Sequence, residues 1–447
     1  MIENKVREEK VNPEIRNRIL DLNPWQEKKE QFQIENNRHL PEIFIPRRID
    51  LGGFQHRGRA KLIVGPRQSG KSTLIWSLLR ERKPENVLFL NAEEALVRTW
   101  ASSAAGMIRD LESEFSSVDT LFLEEAQNLD NAGRIIKGLI DAGRKLDILV
   151  TGSSSFHLMD RTRESLAGRA ERRVLLPFSV QEVLDTESFP SRAARIRRAE
   201  EIAERMMLVG GYPGVWLSED PKRELANLVE AFVLRDVSDR FKIRRPEAFR
   251  KLMQLAASQI GQMVNLSEWA ALLGVAVSTV SEYLGILEES WILRLLPAFS
   301  GGKRREITSA TRVHFLDLGL RNAVLKAFDA LLLRPDRGAV VEGFVFSEIQ
   351  KVIPLDWTTH YWRAKGGAEV DFVLTHADRR IGIEVKAGAA PRLTRSSRSF
   401  IDAYAPEAML VVSDNPPTPS ENTIETTRVR FLTPVDLPSE LDAIIQA

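Results

Sequence analysis

Nine consecutive residues, Gly65–Thr73 with the sequence GPRQSGKST, combine glycines, a lysine and hydroxyls at a spacing suited to phosphate binding. They fit the pattern G-x-x-x-x-G-K-[ST], with a strand-like apolar run before it and a helical pattern after it. In such a loop, backbone N–H groups surround phosphate oxygens and the following helix points its positive end toward them. Lys71 is expected to reach the β- and γ-phosphates of ATP, while the Ser72 hydroxyl holds Mg²⁺. The predicted nucleotide contacts are Gly65, Pro66, Arg67, Gln68, Ser69, Gly70, Lys71, Ser72 and Thr73.

Two adjacent acids end the apolar run LFLEEAQ, which lies farther along the chain. In a P-loop ATPase the first acid helps to hold Mg²⁺ and the second orients the attacking water. These roles would fall to Glu124 and Glu125. Aspartate is usual at the first position, so Glu124 is a departure whose extra methylene displaces the carboxylate. A surface pair of acids at a strand end is the alternative interpretation.

The run ILVTGSSSF places polar residues at the tip of the next strand. Thr151 or Ser153 could lie there beside the γ-phosphate and sense it, although the Gly-Ser sequence is equally compatible with an ordinary turn. Arg169, at the end of the segment SLAGR, is a candidate to reach the γ-phosphate of a neighbouring subunit. A salt bridge that stabilises the fold is the alternative for Arg169.

A second set of charged residues lies near the C-terminus, in the segments AEVDFVL and IGIEVKAG. Asp371 falls in the first segment, and Glu384 and Lys386 fall two residues apart in the second, so the latter two share one face of a strand. Two carboxylates could bind Mg²⁺ there, with the lysine activating a water. Glu342 or Glu348, on a preceding helix, could complete the site. Charged strand ends are common, and a folded domain without activity is the alternative.

Basic residues are concentrated around this second set. Between residues 361 and 400, eight Lys or Arg stand against four acids, a local excess that favours a nucleic-acid backbone. The whole chain has 63 Lys and Arg against 62 Asp and Glu, so any nucleic-acid surface must be a local patch.

The elements that would position these residues follow from the hydrophobic pattern. Short apolar runs at 61–64, 87–90, 120–123 and 147–150, separated by helix-length segments, predict a parallel α/β sheet. The extra run at 87–90, between the phosphate loop and the acidic strand, is typical of the additional-strand class of P-loop ATPases, which includes AAA+ proteins. Strand-like runs at Glu369–Leu374, Ile381–Lys386 and Met409–Val412 predict a second α/β region.

The middle of the chain is predicted to be helical. Asn265–Leu273, a turn at Gly274 and Ser278–Leu287 read as a helix-turn-helix, with Ser278 as the N-cap of the second helix. Strands at Trp291–Phe299 and Thr311–Leu316 would then outline a winged helix whose tip carries Lys303, Arg304 and Arg305. DNA could contact the second helix at Ser278, Thr279, Ser281, Glu282 and Tyr283, although a purely packing role is equally compatible.

Length and composition set the frame. A chain of 447 residues is expected to form two or three domains. It has no cysteine, which excludes disulfides, a thiolate zinc site and a cysteine nucleophile. The N-terminus MIENKVREEK lacks the apolar core of a signal peptide, so we predict a cytoplasmic protein.

Taken in order, these motifs resemble the bacterial and archaeal AAA-type ATPases whose C-terminal half is an uncharacterised domain similar to PD-(D/E)XK nucleases. The resemblance rests on GPRQSGKST, LFLEEAQ, VTGSSSF, SLAGR, GGYP, the Arg235–Asp236 pair, FLDLGLRN, VEGFVFSEI, EVDFVL and IEVKAG. It implies a RecA-like ATPase core, a winged helix and a restriction-endonuclease-like fold, in that order. It also implies metal-holding and catalytic acids at Glu124 and Glu125, and a nuclease pattern at Glu342, Asp371, Glu384 and Lys386.

The sequence therefore predicts an α/β protein with four parts: a helical extension (1–48), a P-loop ATPase domain (49–215), a winged-helix region (216–316) and a nuclease-like domain (317–447). The expected function is ATP-driven remodelling or processing of DNA, including branched or junction DNA, with ATP and Mg²⁺ as cofactors. A regulatory or defence switch that binds DNA or protein without cleavage is the alternative. Because AAA+ modules often complete each other's sites with an arginine, self-association is expected, with a hexamer as the leading guess.

Overall fold

The structure, a computed structural model, describes residues 12–49, 58–153, 166, 168–230, 241–299, 301, 310–364, 366–388, 392–417 and 420–446. The chain divides into two compact units, Met1–Leu175 and Leu176–Ala447. The predicted boundary after residue 215 does not coincide with this division. Residues 176–215 pack with later parts of the chain, as the hydrogen bond from the Gly211 backbone N–H to Asp317 shows (2.8 Å).

The first unit is built on a five-stranded parallel sheet with the order β2-β3-β4-β1-β5. Its strands are β1 (Ala60–Val64), β2 (Val87–Asn91), β3 (Thr120–Glu124), β4 (Asp147–Gly152) and β5 (Ala170–Val174). The predicted apolar runs form these strands, so the parallel α/β sheet is confirmed. Since β4 lies between β1 and β3, the carboxyl ends of all three meet at one edge of the sheet and bring the phosphate loop, the acids and the polar strand tip together.

Helices cover both faces of this sheet. They are α1 (Pro13–Leu22), α2 (Gln31–His39), α3 (Lys71–Leu79), α4 (Ala95–Trp100), α5 (Ala104–Ser113) and α6 (Ala132–Asp141). One buried apolar cluster includes Leu121 and Val150, and another includes Ile63, Trp76 and Phe122, so alternate strand residues face opposite layers.

The N-terminal segment is part of the first unit because its side chains bind the edge strand β2. The buried Asn23 side chain donates to the Phe89 carbonyl (2.8 Å) and accepts from the Phe89 N–H (2.6 Å). Trp25 Nε1 and Gln26 Nε2 both donate to the Val87 carbonyl, at 2.9 and 2.7 Å. These bonds satisfy backbone groups that an edge strand would otherwise expose.

The second unit begins with helices and a small sheet. The helices are α7 (Val180–Leu184), α8 (Arg192–Val209), α9 (Pro213–Trp216), α10 (Pro221–Leu228), α11 (Pro246–Ser258), α12 (Leu266–Leu273) and α13 (Val277–Glu289). Strands β6 (Leu293–Leu296), β7 (Ala298–Phe299) and β8 (Arg312–Phe315) follow, and β6 pairs antiparallel with β8. The predicted single strand Trp291–Phe299 is wrong, because Pro297 separates β6 from β7 and the two enter different sheets.

The two predicted helices and the turn between them are present, but several details of the helix-turn-helix prediction differ. The chain turns by 102° between α12 and α13. The second helix begins at Val277 with Ala276 at the N-cap, so Ser278 is not the cap. Tyr283 is buried and packs edge-on against Phe249, so it is not available to DNA. The predicted tip residues Lys303, Arg304 and Arg305 lie outside the described residues, as does the Arg235–Asp236 pair.

No single helix among the described residues is long and apolar enough to cross a membrane; only the bent pair α12 and α13 meets that length and composition when taken together.

A seven-stranded mixed sheet completes the second unit, with the order β13-β14-β12-β11-β10-β9-β7. Its strands are β7, β9 (Thr358–Arg363), β10 (Glu369–His376), β11 (Arg379–Lys386), β12 (Ala408–Ser413), β13 (Glu421–Ile424) and β14 (Thr427–Leu432). The associated helices are α14 (Leu318–Leu325), α15 (Arg337–Val352), α16 (Arg395–Tyr404) and α17 (Leu437–Gln446). Strands β9, β10 and β11 are antiparallel neighbours, while β11 pairs parallel with β12.

Two of the sequence motifs, GGYP and FLDLGLRN, meet at a tight junction between α8 and α14. The buried Asp317 carboxylate accepts from the N–H groups of Gly211 (2.8 Å) and Leu320 (3.0 Å). A Cβ on Gly210 would lie 2.1 Å from Asp317 Oδ1, and one on Gly319 would lie 2.1 Å from the Val209 carbonyl oxygen. Close packing between α8 and α14 therefore accounts for the glycines and the aspartate of these two motifs.

Candidate functional site

The phosphate loop between β1 and α3 depends on its glycines. Gly65 has φ +152° and Gly70 has φ +91°, conformations that residues with a Cβ rarely adopt. A Cβ on Gly65 would also lie 2.2 Å from the carbonyl oxygen of Leu175. The loop is therefore held close to the end of β5, and the N-terminus of α3 begins directly at Lys71.

Lys71 lies inside the loop, as the motif predicts. Its Nζ donates to the carbonyl oxygens of Gly65 (3.1 Å) and Pro66 (2.7 Å). Burial lowers the pKa of Lys71 to about 8. The Ser69 hydroxyl is buried and has no hydrogen-bond partner among the described residues. Arg47, which the sequence did not single out, donates to the Ser69 carbonyl (2.7 Å) and ties the N-terminal segment to the loop.

Ser72 and Glu124 are brought into direct contact across the sheet edge. The Ser72 hydroxyl donates to Glu124 Oε1. Burial raises the pKa of Glu124, while the hydrogen bond from Ser72 opposes that rise. A hydroxyl and a carboxylate oxygen are hard ligands of the kind Mg²⁺ prefers, so these residues fit the predicted ion despite the longer side chain at position 124. A bound Mg²⁺ would neutralise negative charge on the phosphates.

Glu125 is held by polar groups from the tip of β4 and from its own turn. Its backbone N–H donates to Thr151 Oγ1 (3.3 Å). Ser153 Oγ donates to Glu125 Oε2 (3.0 Å), and Gln127 Nε2 donates to the same oxygen. Of the two candidate sensors, the hydroxyl of Thr151 therefore binds the backbone of Glu125, while that of Ser153 binds its carboxylate. Contact of either residue with the nucleotide stays a prediction.

Arg169 lies at the start of β5, whereas the phosphate loop follows the end of the neighbouring parallel strand β1. Five strand residues separate these two edges, a distance of roughly 16 Å, so Arg169 does not serve the loop of its own unit. Its Nε instead pairs with Asp141 Oδ1 (2.8 Å), which is the salt-bridge alternative. Action on a neighbouring subunit stays a prediction.

The C-terminal candidates Asp371, Glu384 and Lys386 lie on the adjacent strands β10 and β11, as predicted. Lys386 Nζ pairs with Glu384 Oε1 at 2.8 Å. Burial opposes the charge on Lys386, but the hydrogen bond and charge of Glu384 raise the pKa of Lys386 overall. Asp371 Oδ2 accepts from the Val385 N–H (2.7 Å). Burial raises the pKa of Asp371 to about 6.

The other oxygen of Glu384 is bound at the start of α16. Glu384 Oε2 accepts from Thr394 Oγ1 (2.9 Å) and from the Ser397 hydroxyl. Both oxygens of this carboxylate are therefore hydrogen-bonded within the protein. No three His, Cys, Asp or Glu side chains in the described part of the chain form a group that could hold a metal ion. The metal assignment at Asp371 and Glu384 stays a prediction.

Of the two acids on α15, Glu342 joins this cluster and Glu348 does not. Burial and the nearby charge of Asp371 raise the pKa of Glu342 to about 8. Glu348 accepts from the Val180 N–H (3.2 Å) and pairs with Lys351 (2.7 Å), so it contacts the N-terminus of α7.

Two residues of β8, missed in the sequence, extend the cluster. Arg312 pairs with Glu369 (2.7 Å), and its guanidinium lies 4.5 Å from the ring centre of Tyr361. His314 is fully buried, and its Nε2 lies 3.8 Å from Glu342 Oε1. Burial and the charge of Arg312 lower the pKa of His314 to about 3, so the imidazole is neutral. The one signal in the sequence was that Arg312 and His314 lie two residues apart in a predicted strand, which puts them on the same face.

Family models match three successive parts of the chain. Residues 57–184 match the AAA domain, 200–331 match a domain of unknown function (DUF8612), and 337–432 match a second domain of unknown function (DUF4143). The AAA match contains the phosphate loop and both acids Glu124 and Glu125. The third match contains Glu342, Asp371, Glu384 and Lys386.

Relatives match about three quarters of the chain. An uncharacterized protein of Mycobacterium tuberculosis is 28% identical over 355 residues, which cover 77% of this chain and 74% of that protein. An uncharacterized protein of Methanocaldococcus jannaschii is 23% identical over 350 residues, which cover 76% and 74%.

Solved structures with some similarity include the Aeropyrum pernix ORC1 protein in complex with DNA, at TM-score 0.27 and 15% identity, covering 60% of this chain and 86% of that one. The replication initiator DnaA bound to AMPPCP and single-stranded DNA gives TM-score 0.26 and 16% identity, covering 56% and 92%. The AAA match and the geometry of the phosphate loop together support a P-loop ATPase domain of the AAA type in this chain.

Proposed function

We propose that this protein hydrolyses ATP at the phosphate loop and uses the energy to act on DNA. The observation that supports ATP hydrolysis is that three groups of residues lie together at one edge of the first sheet. Lys71 lies inside the loop, Ser72 is bonded to Glu124, and Glu125 is held beside them. Lys71 would bind the β- and γ-phosphates, Ser72 and Glu124 would hold Mg²⁺, and Glu125 would orient the attacking water.

Calorimetry with MgATP and a turnover assay test this proposal. Lys71→Ala is expected to weaken nucleotide binding and to lower turnover by about 100-fold or more, since it removes a group that contacts the transferred phosphate. Glu125→Gln is expected to bind nucleotide and lose turnover. Lys145→Ala, an exposed position in the same unit, is the matched control. No nucleotide uptake by the unaltered protein would overturn the proposal.

DNA is proposed to bind at the C-terminal domain. The exposed residues Arg363, Arg392, Arg395 and Arg398 belong to the same part of the chain as Asp371 and Glu384, whereas α13 contains no lysine or arginine. A phosphate backbone binds such exposed basic residues by releasing counterions. The topology supports the nuclease-like interpretation, because α15, β9, β10, β11, α16 and β12 follow one another in the order helix, three antiparallel strands, helix, parallel strand.

Gel shifts at low salt with duplex, single-stranded and four-way DNA test the interaction. Replacing Arg395 and Arg398 by alanine is expected to weaken binding to every DNA and to reduce the salt slope by about 2. Replacing Arg192 and Arg197, exposed on α8, is the matched control. Absence of any shift would overturn the DNA proposal.

Two candidate roles follow for the C-terminal cluster. In the first, Asp371, Glu384 and Lys386 cleave DNA. In the second, the protein is an ATP-gated switch that binds DNA or a protein without cleavage, which the fully bonded Glu384 carboxylate favours. Asp371→Ala and Lys386→Ala separate the two, because loss of cleavage supports the first role and an unchanged phenotype supports the second.

We also propose self-association, with a hexamer as the leading arrangement, so that Arg169 of one subunit reaches the nucleotide of the next. Mass measurement with ATP and DNA present tests it, together with the turnover of Arg169→Ala. A monomer under those conditions would remove the proposed role of Arg169.

A further inference from the structure

Gln127 makes a closed set of hydrogen bonds with Ser153 and Glu125. Its Oε1 accepts from the Ser153 backbone N–H (3.2 Å), and its Nε2 donates to Ser153 Oγ (2.9 Å) and to Glu125 Oε2. Ser153 Oγ in turn donates to Glu125 Oε2 (3.0 Å). One carboxylate oxygen of Glu125 is thus gripped by an amide and a hydroxyl, and both are fixed to the tip of β4.

The amide orientation of Gln127 is set by its partners. The Ser153 N–H can only donate, so it fixes the Oε1 side of the amide and leaves the NH₂ group for the carboxylate. A glutamate at this position would have no hydrogen to offer and would add a like charge beside Glu125. The arrangement therefore requires an amide of this length.

The backbone of Glu125 is held in place as well. Its φ of +51° is unusual for a residue with a Cβ, and such conformations persist only where the surroundings over-determine them. The Thr151 hydroxyl binds its N–H, and Asn128 Nδ2 donates to its carbonyl (3.1 Å). Burial lowers the pKa of Lys71, and the nearby charge of Glu125 opposes that effect.

We propose that Gln127 is a positioning residue for ATP hydrolysis: with Ser153, it holds the Glu125 carboxylate in the orientation in which its other oxygen takes the attacking water. This inference rests on the proposed ATPase function. It assigns to the glutamine of LFLEEAQ a role distinct from nucleotide binding, since Gln127 acts only through Glu125.

Steady-state turnover and calorimetry with MgATP test the assignment on the full chain. Gln127→Ala is expected to lower kcat by about 10- to 100-fold, the range expected when a general base is misplaced, with KM and nucleotide affinity changed less than about twofold. Gln127→Glu keeps the shape of the side chain and loses the N–H donor, and its kcat is expected to fall at least as far. Gln33→Ala, exposed on α2, is the matched control and keeps the turnover of the unaltered protein.

Ser153 provides a second, independent arm. Ser153→Ala is expected to lower kcat. Ser153→Thr keeps the hydroxyl and is expected to retain most of the kcat of the unaltered protein. Because both groups hold one oxygen, the double variant Gln127→Ala/Ser153→Ala is expected to lose less than the product of the single losses.

The outcomes are distinct. An unaltered protein that binds no nucleotide or shows no turnover overturns the proposed function itself. Normal turnover in Gln127→Ala, or a rise in kcat, overturns the positioning role and leaves the proposed function standing. A parallel loss of nucleotide binding and of thermal stability also overturns it, because the glutamine would then support the loop as a whole.

Discussion

Glu342 is a partly buried carboxyl group near a second carboxyl group, that of Asp371, and both conditions disfavour its charge. Burial and the charge of Asp371 raise its pKa to about 8, from an ordinary value of 4.5. Between these two pH values the folded protein binds more protons at this position than the unfolded chain does. Its contribution to stability is therefore fully present below about pH 4.5 and is lost as the pH rises through about 8.

Glu342→Gln removes this titration while it keeps the size of the side chain. The variant is expected to have a higher Tm than the unaltered protein at about pH 9, because no charge is then forced into the partly buried site. Near pH 4.5 the difference should be small or reversed. Thermal unfolding at the two pH values checks this, with the exposed Glu200→Gln as control. An equal change in Tm at both pH values would show that Glu342 is not held neutral in the folded protein.

At this scale, the sequence predicts residues whose roles follow from local spacing. Lys71 and Ser72 are identified by the loop motif, and Glu124 is identified by its place at the end of an apolar run. Arg312 and His314 could not be predicted, because the acids they face come from α15 and β10, much later in the chain. Gln127 was part of a recognised motif, but its role depends on Ser153, which only folding brings close.

At the level of elements, the N-terminal segment closes the edge of the first sheet through Asn23. Asn23→Ala is expected to destabilise the first unit by about 2–4 kcal/mol, because the Phe89 N–H and C=O lose their partner and stay buried. Denaturant unfolding measures the change, and Asn37→Ala, exposed on α2, serves as control. Equal midpoints for the two variants would contradict the role of Asn23.

The junction between α8 and α14 gives a second prediction, from two glycines in helices of the second unit. Gly319→Ala is expected to cost about 3 kcal/mol or more, since its Cβ would lie 2.1 Å from the Val209 carbonyl oxygen. Gly285→Ala, on the exposed face of α13 with nothing within 4 Å, is expected to stabilise the protein by about 0.5–1 kcal/mol. Thermal unfolding compares them, and a similar change in both would contradict the packing described here.

Strands were easier to predict than their pairing. The apolar runs of the first sheet were found because parallel strands are buried on both faces and read as continuous apolar segments. The run from Trp291 to Phe299 looked like one such strand, yet Pro297 divides it between two sheets. The N-cap of α13 was misplaced by two residues, at Ser278, because serine is the commoner cap, whereas Ala276 occupies the position here.

On the scale of the whole molecule, the two compact units are expected to unfold in separate transitions, since each has its own buried core. MgATP should stabilise only the first unit. Its free energy of unfolding should rise by about 2.7 kcal/mol when the ligand concentration is 100 times the dissociation constant, and its Tm should rise accordingly. Differential scanning calorimetry measures this, and Lys71→Ala should abolish the shift. A single transition, or an equal shift of both, would contradict the expectation.

The contact between β8 and the C-terminal cluster has an evolutionary consequence. Arg312 and His314 fall within the segment 200–331, while Glu342 and Glu369 fall within the segment 337–432. An ion pair that spans two such modules couples their evolution, because a change of charge at Glu369 would leave the buried Arg312 guanidinium without this partner. Among descendants of a common ancestor, Arg312 and Glu369 should therefore be substituted in concert, and recombination that exchanges one module alone should be disfavoured.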